Sequence, residues 1–255
     1  MSRADISARG SRMRLAMGSF VTVRACAPDE AVLEAAMGAA LETIGKFESS
    51  LHPFRPGSDI AAINAAEIGT RVSVAAATMR VLTLARDVFA ASEQRFDPCL
   101  PTHSGRFSAL ELHGDHVIVR EPICLDLGGI AKGFAADEGL AVLRSKGCIA
   151  GSVNVGGDIA AFGEAEIVAL RRADQSLAQL ELNNVGLAVT DTKVADRPSE
   201  HRGYYQRVAA PSPVRTYAAV VAPSAAIADA LTKCALYCLD DELKPLLDRF
   251  NARLI

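Results

Sequence analysis

Apolar positions at the start of the chain change their repeat. Over residues 15–25 they alternate with polar ones, the two-residue period of a half-buried strand. After Pro28-Asp29 the repeat lengthens, and Leu33, Met37, Ala40, Ile44 and Phe47 share one helical face. Residues 52–57 form a loop with two prolines, and Asp59–Asn64 reads as a short helix. Ser73 is the expected N-cap of a second long helix carrying Met79, Leu82, Arg86 and Phe89. Residues 107–112 and 117–119 flank His113-Gly114-Asp115-His116, a hairpin signal, and the apolar run 123–127 predicts a buried strand. The next helix follows Lys132, buries Phe134, Leu140 and Leu143, and stops at Gly147. Strands are expected at 149–155, 167–170, Leu177–Leu182, 187–189 and 216–222. Residues 191–213, polar and proline-bearing, match no element. Ser224 caps a helix with Ile227, Leu231, Ala235 and Cys238, and residues 240–250 form the last helix.

This alternation of hairpins and long helices predicts an α+β fold. No repeat or linker divides it, so residues 1–255 are expected to be one domain. Half the residues are apolar and 22% charged, enough for a sizeable core and against disorder. With a net charge of −3 and no basic run, the chain does not read as a nucleic-acid binder. No stretch reaches bilayer-spanning length. Residues 1–15 mix Arg, Asp and Ser without an apolar run, which leads us to expect a cytoplasmic protein. Six cysteines, none in C-x-x-C, speak against a zinc or redox site. Cys234 and Cys238, at i and i+4, share a helix face and read as core, and reduced thiols of this kind fit the cytosol.

Two segments carry candidate chemistry. Asp126-Leu127-Gly128-Gly129-Ile130-Ala131-Lys132-Gly133 and Asn154-Val155-Gly156-Gly157-Asp158 both read as a strand ending in paired glycines beside a carboxylate. Glycine lets backbone amides approach an anion, the following helix adds partial positive charge, and Lys132 adds a full one. A phosphate-bearing ligand fits this pattern, as does a tight strand-to-helix turn. Neither segment is a dinucleotide-binding or P-loop fingerprint.

The order of motifs is more specific. Met17-Gly18-Ser19 opens an alternating segment, and Ser58-Asp59-Ile60 leads to Asn64. Then come Phe96-Asp97-Pro98, the stretch Asp126 to Asp137, Asn154 to Ile159, and Val221-Ala222-Pro223 with Ala228-Asp229-Ala230. In this order they resemble the ApbE family, FAD:protein FMN transferases, across nearly the whole chain. The resemblance implies a T-fold-like antiparallel sheet with long helices and a smaller flanking α/β portion. It implies FAD bound in a cleft, Mg²⁺ on its pyrophosphate, and transfer of FMN to a Ser or Thr of an acceptor flavoprotein subunit with release of AMP. Two alternatives share the site: a catalytically silent FAD-binding homologue that carries flavin or regulates a paralogue, and an FAD pyrophosphatase.

By the same resemblance, Lys132 contacts the flavin nucleotide on the Gly128-Gly129 turn, and Asp126 accepts a hydrogen bond from it. Met17, Phe54, Phe96 and Asp97 line the rest of the FAD site. Asp229 is the metal candidate, with the carbonyl around Gly129 as second ligand, and Asp229 and Lys132 are the catalytic candidates. Simpler roles stand beside these: loop packing for Phe54, a turn before Pro98 for Asp97, a turn cap for Asp158, and a favourable helix-dipole position for Asp229.

The chain also departs from the family. Where the family has a metal-ligating Thr one helical turn after the Asp, this chain has Lys233, with Thr232 at i+3. A charged ammonium cannot ligate Mg²⁺ and is expected instead to pair with Asp229, which speaks against the metal. Thr190-Asp191-Thr192 replaces T-S-G. Residues 207–212 stand where the family has a histidine motif and contain none, and His201 lies nearby. Cys99 replaces the Thr of F-D-P-T, and the stretch 101–123 is short.

Overall fold

A computed structural model describes residues 7–171, 176–192 and 213–255. The strand expected at 15–25 is not one strand but the end of β1 (Ala8–Ala16), a two-residue turn and most of β2 (Ser19–Ala27), a hairpin paired from Ala8↔Ala27 to Ala16↔Ser19. The two turn residues, Met17 and Gly18, have φ of 54° and 66°, the left-handed pair that matches strand twist. Apolar residues lie on both sides of the turn, Leu15-Ala16 before it and Phe20-Val21 after it, so no polar run marks it in the sequence.

Helix α1 (Glu30–Ser50) starts where expected, with the Asp29 carboxylate accepting from Val32 N at 2.9 Å, and it buries the predicted face. Helix α2 (Asp59–Asn64) precedes β3 (Arg71–Ser73) and α3 (Ala76–Ala91). Ser73 ends β3 and caps nothing. Asp59 serves the start of α3 instead, accepting from Ala75 N at 2.9 Å and from the Thr78 hydroxyl at 2.5 Å. Strands β4 (Leu110–His113) and β5 (His116–Val119) form the expected hairpin, and with β3 a small sheet ordered β3-β5-β4.

Residues 123–127 run extended but join no sheet beyond one bridge, Cys99↔Leu125. A side chain takes the place of a neighbouring strand: Asn64 Oδ1 accepts from Leu125 N at 2.7 Å and Asn64 Nδ2 donates to Leu125 O at 2.9 Å. Such an amide satisfies a buried backbone pair as a ladder would.

Helix α4 (Ala131–Ser145) leads into β6 (Ala150–Val155) and β7 (Asp158–Phe162). The sequence reading missed β7, which is buried on both faces and so lacks alternation. Then follow β8 (Glu166–Arg171), β9 (Leu177–Leu182), β10 (Gly186–Asp191), β11 (Tyr217–Ala222), α5 (Ala225–Tyr237), α6 (Asp240–Arg249) and β12 (Arg253–Leu254). The main sheet is antiparallel, in the order β1-β2-β6-β7-β10-β11-β12. Helices α1, α4 and α5 cover one face, over β1–β2, β6–β7 and β10–β11 respectively. On the other face the β8–β9 ribbon packs Leu182, Val168 and Leu180 against Ile159, Ala161, Leu187 and Val221. No helix among the described residues is long and apolar enough to cross a membrane.

Candidate functional site

Close approach at glycines places the site. A Cβ on Gly133 of α4 would overlap the carbonyl of Ala225, and one on Gly186 of β10 would overlap the Ala225 backbone from the other side. The first turn of α5 is thus wedged between α4 and β10. Asp137 of α4 holds it there, accepting from the Ser224 hydroxyl at 2.6 Å and from Ala225 N and Ala226 N at 2.9 Å each. A carboxylate on these amides satisfies helix-end donors and complements the dipole. The terminal Asp of the Asp126–Asp137 motif therefore builds the fold.

This wedge brings Asp229, in the second turn of α5, against the start of α4, where Gly133 N donates to its Oδ2 at 3.4 Å. Its other oxygen accepts from Lys233 Nζ at 2.6 Å. Lys233 donates further to Thr190 Oγ1 at 2.7 Å and Thr232 Oγ1 at 2.9 Å. An ammonium has three donors, and these are three acceptors. Asp229 is wholly buried and Lys233 is 4% exposed. A second pair lies beside it: Lys132 Nζ to Asp158 Oδ2 at 2.7 Å, with Asp158 1% exposed and Lys132 partly open.

The pairs act on one another. Burial and the Asp229 charge push the Asp158 carboxyl up to about 6, against the pull of Lys132 and Lys233. For Asp229, burial alone would raise the value, but Lys233 and Lys132 outweigh it and hold the carboxyl low. Asp158 Oδ1 is buried and has no hydrogen-bond partner among the described residues.

Of the residues singled out in the sequence, Lys132 and Asp229 thus come together. Asp158 joins them and is no turn cap: Asn154 caps that turn, its Oδ1 accepting from Gly157 N at 2.9 Å. Gly156 and Gly157 form the β6–β7 hairpin turn, with φ of 62° and 101°. A Cβ on Gly156 would stand 2.6 Å from Ser19 Oγ and 3.6 Å from Lys132 Cδ, so the strand end beside the Met17-Gly18 turn borders Lys132. The sequence marked Thr190 only as part of the segment replacing T-S-G, and the packing of β10 on α5 is what brings it to Lys233.

The Gly128-Gly129 segment is a tight turn more than an open cradle. Neither glycine has a left-handed φ. Gly128 N donates to Asp126 Oδ1 at 2.7 Å, and Ile130 N and Ala131 N donate to Leu127 O. Positive character here comes from the α4 N-terminus and Lys132. Asp97 is a stapled turn residue: its Oδ1 accepts from Cys99 N and Phe107 N, and its Oδ2 pairs with Arg106 Nε at 3.1 Å. Phe96 lies in the core, whereas Phe54 is 55% exposed and its ring meets His52 edge-on. His201 and residues 207–212 lie outside the described residues.

A divalent cation does not fit this donor set. No three His, Cys, Asp or Glu residues among the described ones could hold a metal together. Asp229 Oδ1 is taken by the Lys233 ammonium at 2.6 Å, whose charge repels another cation.

An antiparallel sheet covered by three helices, with two adjacent Lys–Asp pairs where α4 and α5 meet, one buried and one partly open, defines an α+β protein with a preformed charged site. The chain belongs to the ApbE family, matching it over residues 17–105 and 102–254. It is similar in fold to the apo form of Pseudomonas stutzeri flavinyl transferase ApbE, with a TM-score of 0.83 at 18% identity, covering 96% of this chain and 90% of that one. The flavin transferase ApbE from Vibrio cholerae gives 0.79 at 14%, over 97% and 93%, and the ApbE protein from Thermotoga maritima 0.78 at 17%, over 97% and 94%. No curated protein matches the chain.

Proposed function

We propose that this chain is a flavin transferase that moves FMN from FAD to a Ser or Thr hydroxyl of an acceptor flavoprotein, releasing AMP. The observation that carries the reading is the Lys132–Asp158 pair at the N-terminus of α4, inside an ApbE fold. The partly open Lys132 ammonium and the helix end favour a phosphate there. Asp158 orients the ammonium and, in the low-dielectric site, keeps it fixed as charge shifts between bridging oxygens. In the transfer, the acceptor oxygen bonds to the FMN phosphorus, the P–O bond to the AMP phosphate breaks, and the acceptor proton is released with AMP. Met17 and Phe54 are proposed to line the flavin nucleotide. Asp97 and Asp126 would act by shaping the loops they staple.

A second reading is binding without turnover, and one observation favours it: Asp229, the family's metal position, is held by Lys233 at 2.6 Å. The two readings separate when purified protein is incubated with FAD and a flavoprotein acceptor domain. Transfer predicts AMP and an acceptor heavier by FMN. FAD recovered intact from a complex supports the silent homologue, and free FMN formed without acceptor supports pyrophosphatase activity. Absence of FAD binding rejects all three.

A further inference from the structure

We infer that the Lys233 ammonium is a built-in counter-ion that keeps divalent cations off Asp229, so that the site takes its phosphate-bearing ligand without Mg²⁺. The second half rests on the flavin reading above, and the first stands on geometry alone.

Lys233 is not a surface side chain that has drifted onto a carboxylate. Its stem rises from the buried helix α5 and its head is fixed by Asp229, Thr190 and Thr232, from two elements, at 2.6–2.9 Å. Thr190 and Thr232 are also bonded to each other at 2.7 Å, and Thr232 donates to Asp229 O at 2.7 Å. To admit a metal, the ammonium would have to leave these acceptors, and at 4% exposure little water stands by to replace them. With Lys233 in place, a metal would bring two positive charges beside one in a poorly screened interior. The charges already balance: Lys132 and Lys233 are matched by Asp158 and Asp229. An incoming phosphate therefore meets the partly open Lys132 while Lys233 neutralises the carboxylate behind it. Without Lys233, the Asp229 charge would repel the same anion.

The test uses the full chain, with Mn²⁺ as the metal probe followed by electron paramagnetic resonance. The wild type should show no saturable Mn²⁺ site that depends on Asp229. Lys233→Thr should gain one, and the further change Asp229→Asn should remove it. A wild-type Mn²⁺ site abolished by Asp229→Asn overturns the inference, whether or not Lys233→Thr folds. In parallel, FAD affinity is read by flavin fluorescence in EDTA and in Mg²⁺. Values equal within about twofold support the inference, and a tenfold or greater gain with Mg²⁺ overturns it. If FAD binds in neither buffer, the flavin reading fails, and the Mn²⁺ titration still decides the cation question.

Discussion

Asp229 and Lys233 sit one helical turn apart on α5, both inside the protein. Removing one member of such a pair strands the other, whereas replacing both with apolar residues of similar size does not. Lys233→Met or Asp229→Leu alone is expected to lower stability by about 3–5 kcal/mol, and the double variant should recover most of the loss. Urea unfolding of the four proteins measures this coupling; strictly additive losses would show that the pair does not interact. Asp158 makes the opposite kind of statement. Its carboxyl is raised from the ordinary 3.8 to about 6, so the native state holds this proton more tightly than the unfolded chain. The stabilisation is complete below pH ~4 and is lost as pH rises through ~6, on the order of 3 kcal/mol by neutrality. Asp158→Asn lacks that slope. Its melting temperature relative to wild type should therefore rise between pH 5 and 7, and a relative fall would show that the pull of Lys132 outweighs burial and the Asp229 charge.

At the scale of elements, the contact of α4 with α5 sets where Asp229 lies. Gly→Ala inside a helix ordinarily gains about 1 kcal/mol. At Gly133 the added methyl would strike the Ala225 backbone, which cannot yield as a side-chain tip could. Gly133→Ala should lose about 1–3 kcal/mol and weaken FAD binding by shifting α5, as calorimetry and fluorescence titration would show. A higher melting temperature would mean that the helices are less tightly apposed. Helices α1, α4, α5 and α6 were legible in the sequence because their apolar spacing and end signals agree with the tertiary structure. Ser73 misled, since the carboxylate at the start of α3 comes from Asp59, which no local pattern reveals. The β1–β2 turn was illegible because apolar residues flank it on both sides, and β7 because it is buried on both faces and lacks alternation. The site was half legible. Lys132 and Asp229 stand in motifs, and the Lys233 substitution was plain, but Asp158 and Thr190 reach them only through the pairing of β6 with β7 and the packing of β10 on α5.

Over the whole molecule the six cysteines report on how the parts hold together. Cys26 lies on β2, Cys99 and Cys148 in connecting segments, and Cys234 and Cys238 at the end of α5, and all five are buried, while Cys124 is half-buried. Burial pushes the Cys234 thiol up to about 12, with the Cys238 charge adding to it, and raises Cys148 and Cys124 as well. Only the thiolate attacks disulfide reagents, so a buried thiol with a raised pKa reacts when the structure opens around it. In native protein at pH 8, Cys124 should therefore label first and the other five slowly, while denaturant should expose all six at once. If Cys234 and Cys238 instead label fast in the native state, the α5–α6 end opens locally rather than with the fold. The same clock tests the site without any turnover. A ligand bound only by the native state stabilises it by RT ln(1 + [L]/Kd), about 2.7 kcal/mol at a hundred times Kd. Where opening is global and fast to reclose, FAD at that excess should slow labelling of Cys234 by about a hundredfold. That protection should be the same in EDTA as in Mg²⁺ if Lys233 stands in for the metal. It should vanish in Lys132→Ala if the α4 N-terminus holds the nucleotide.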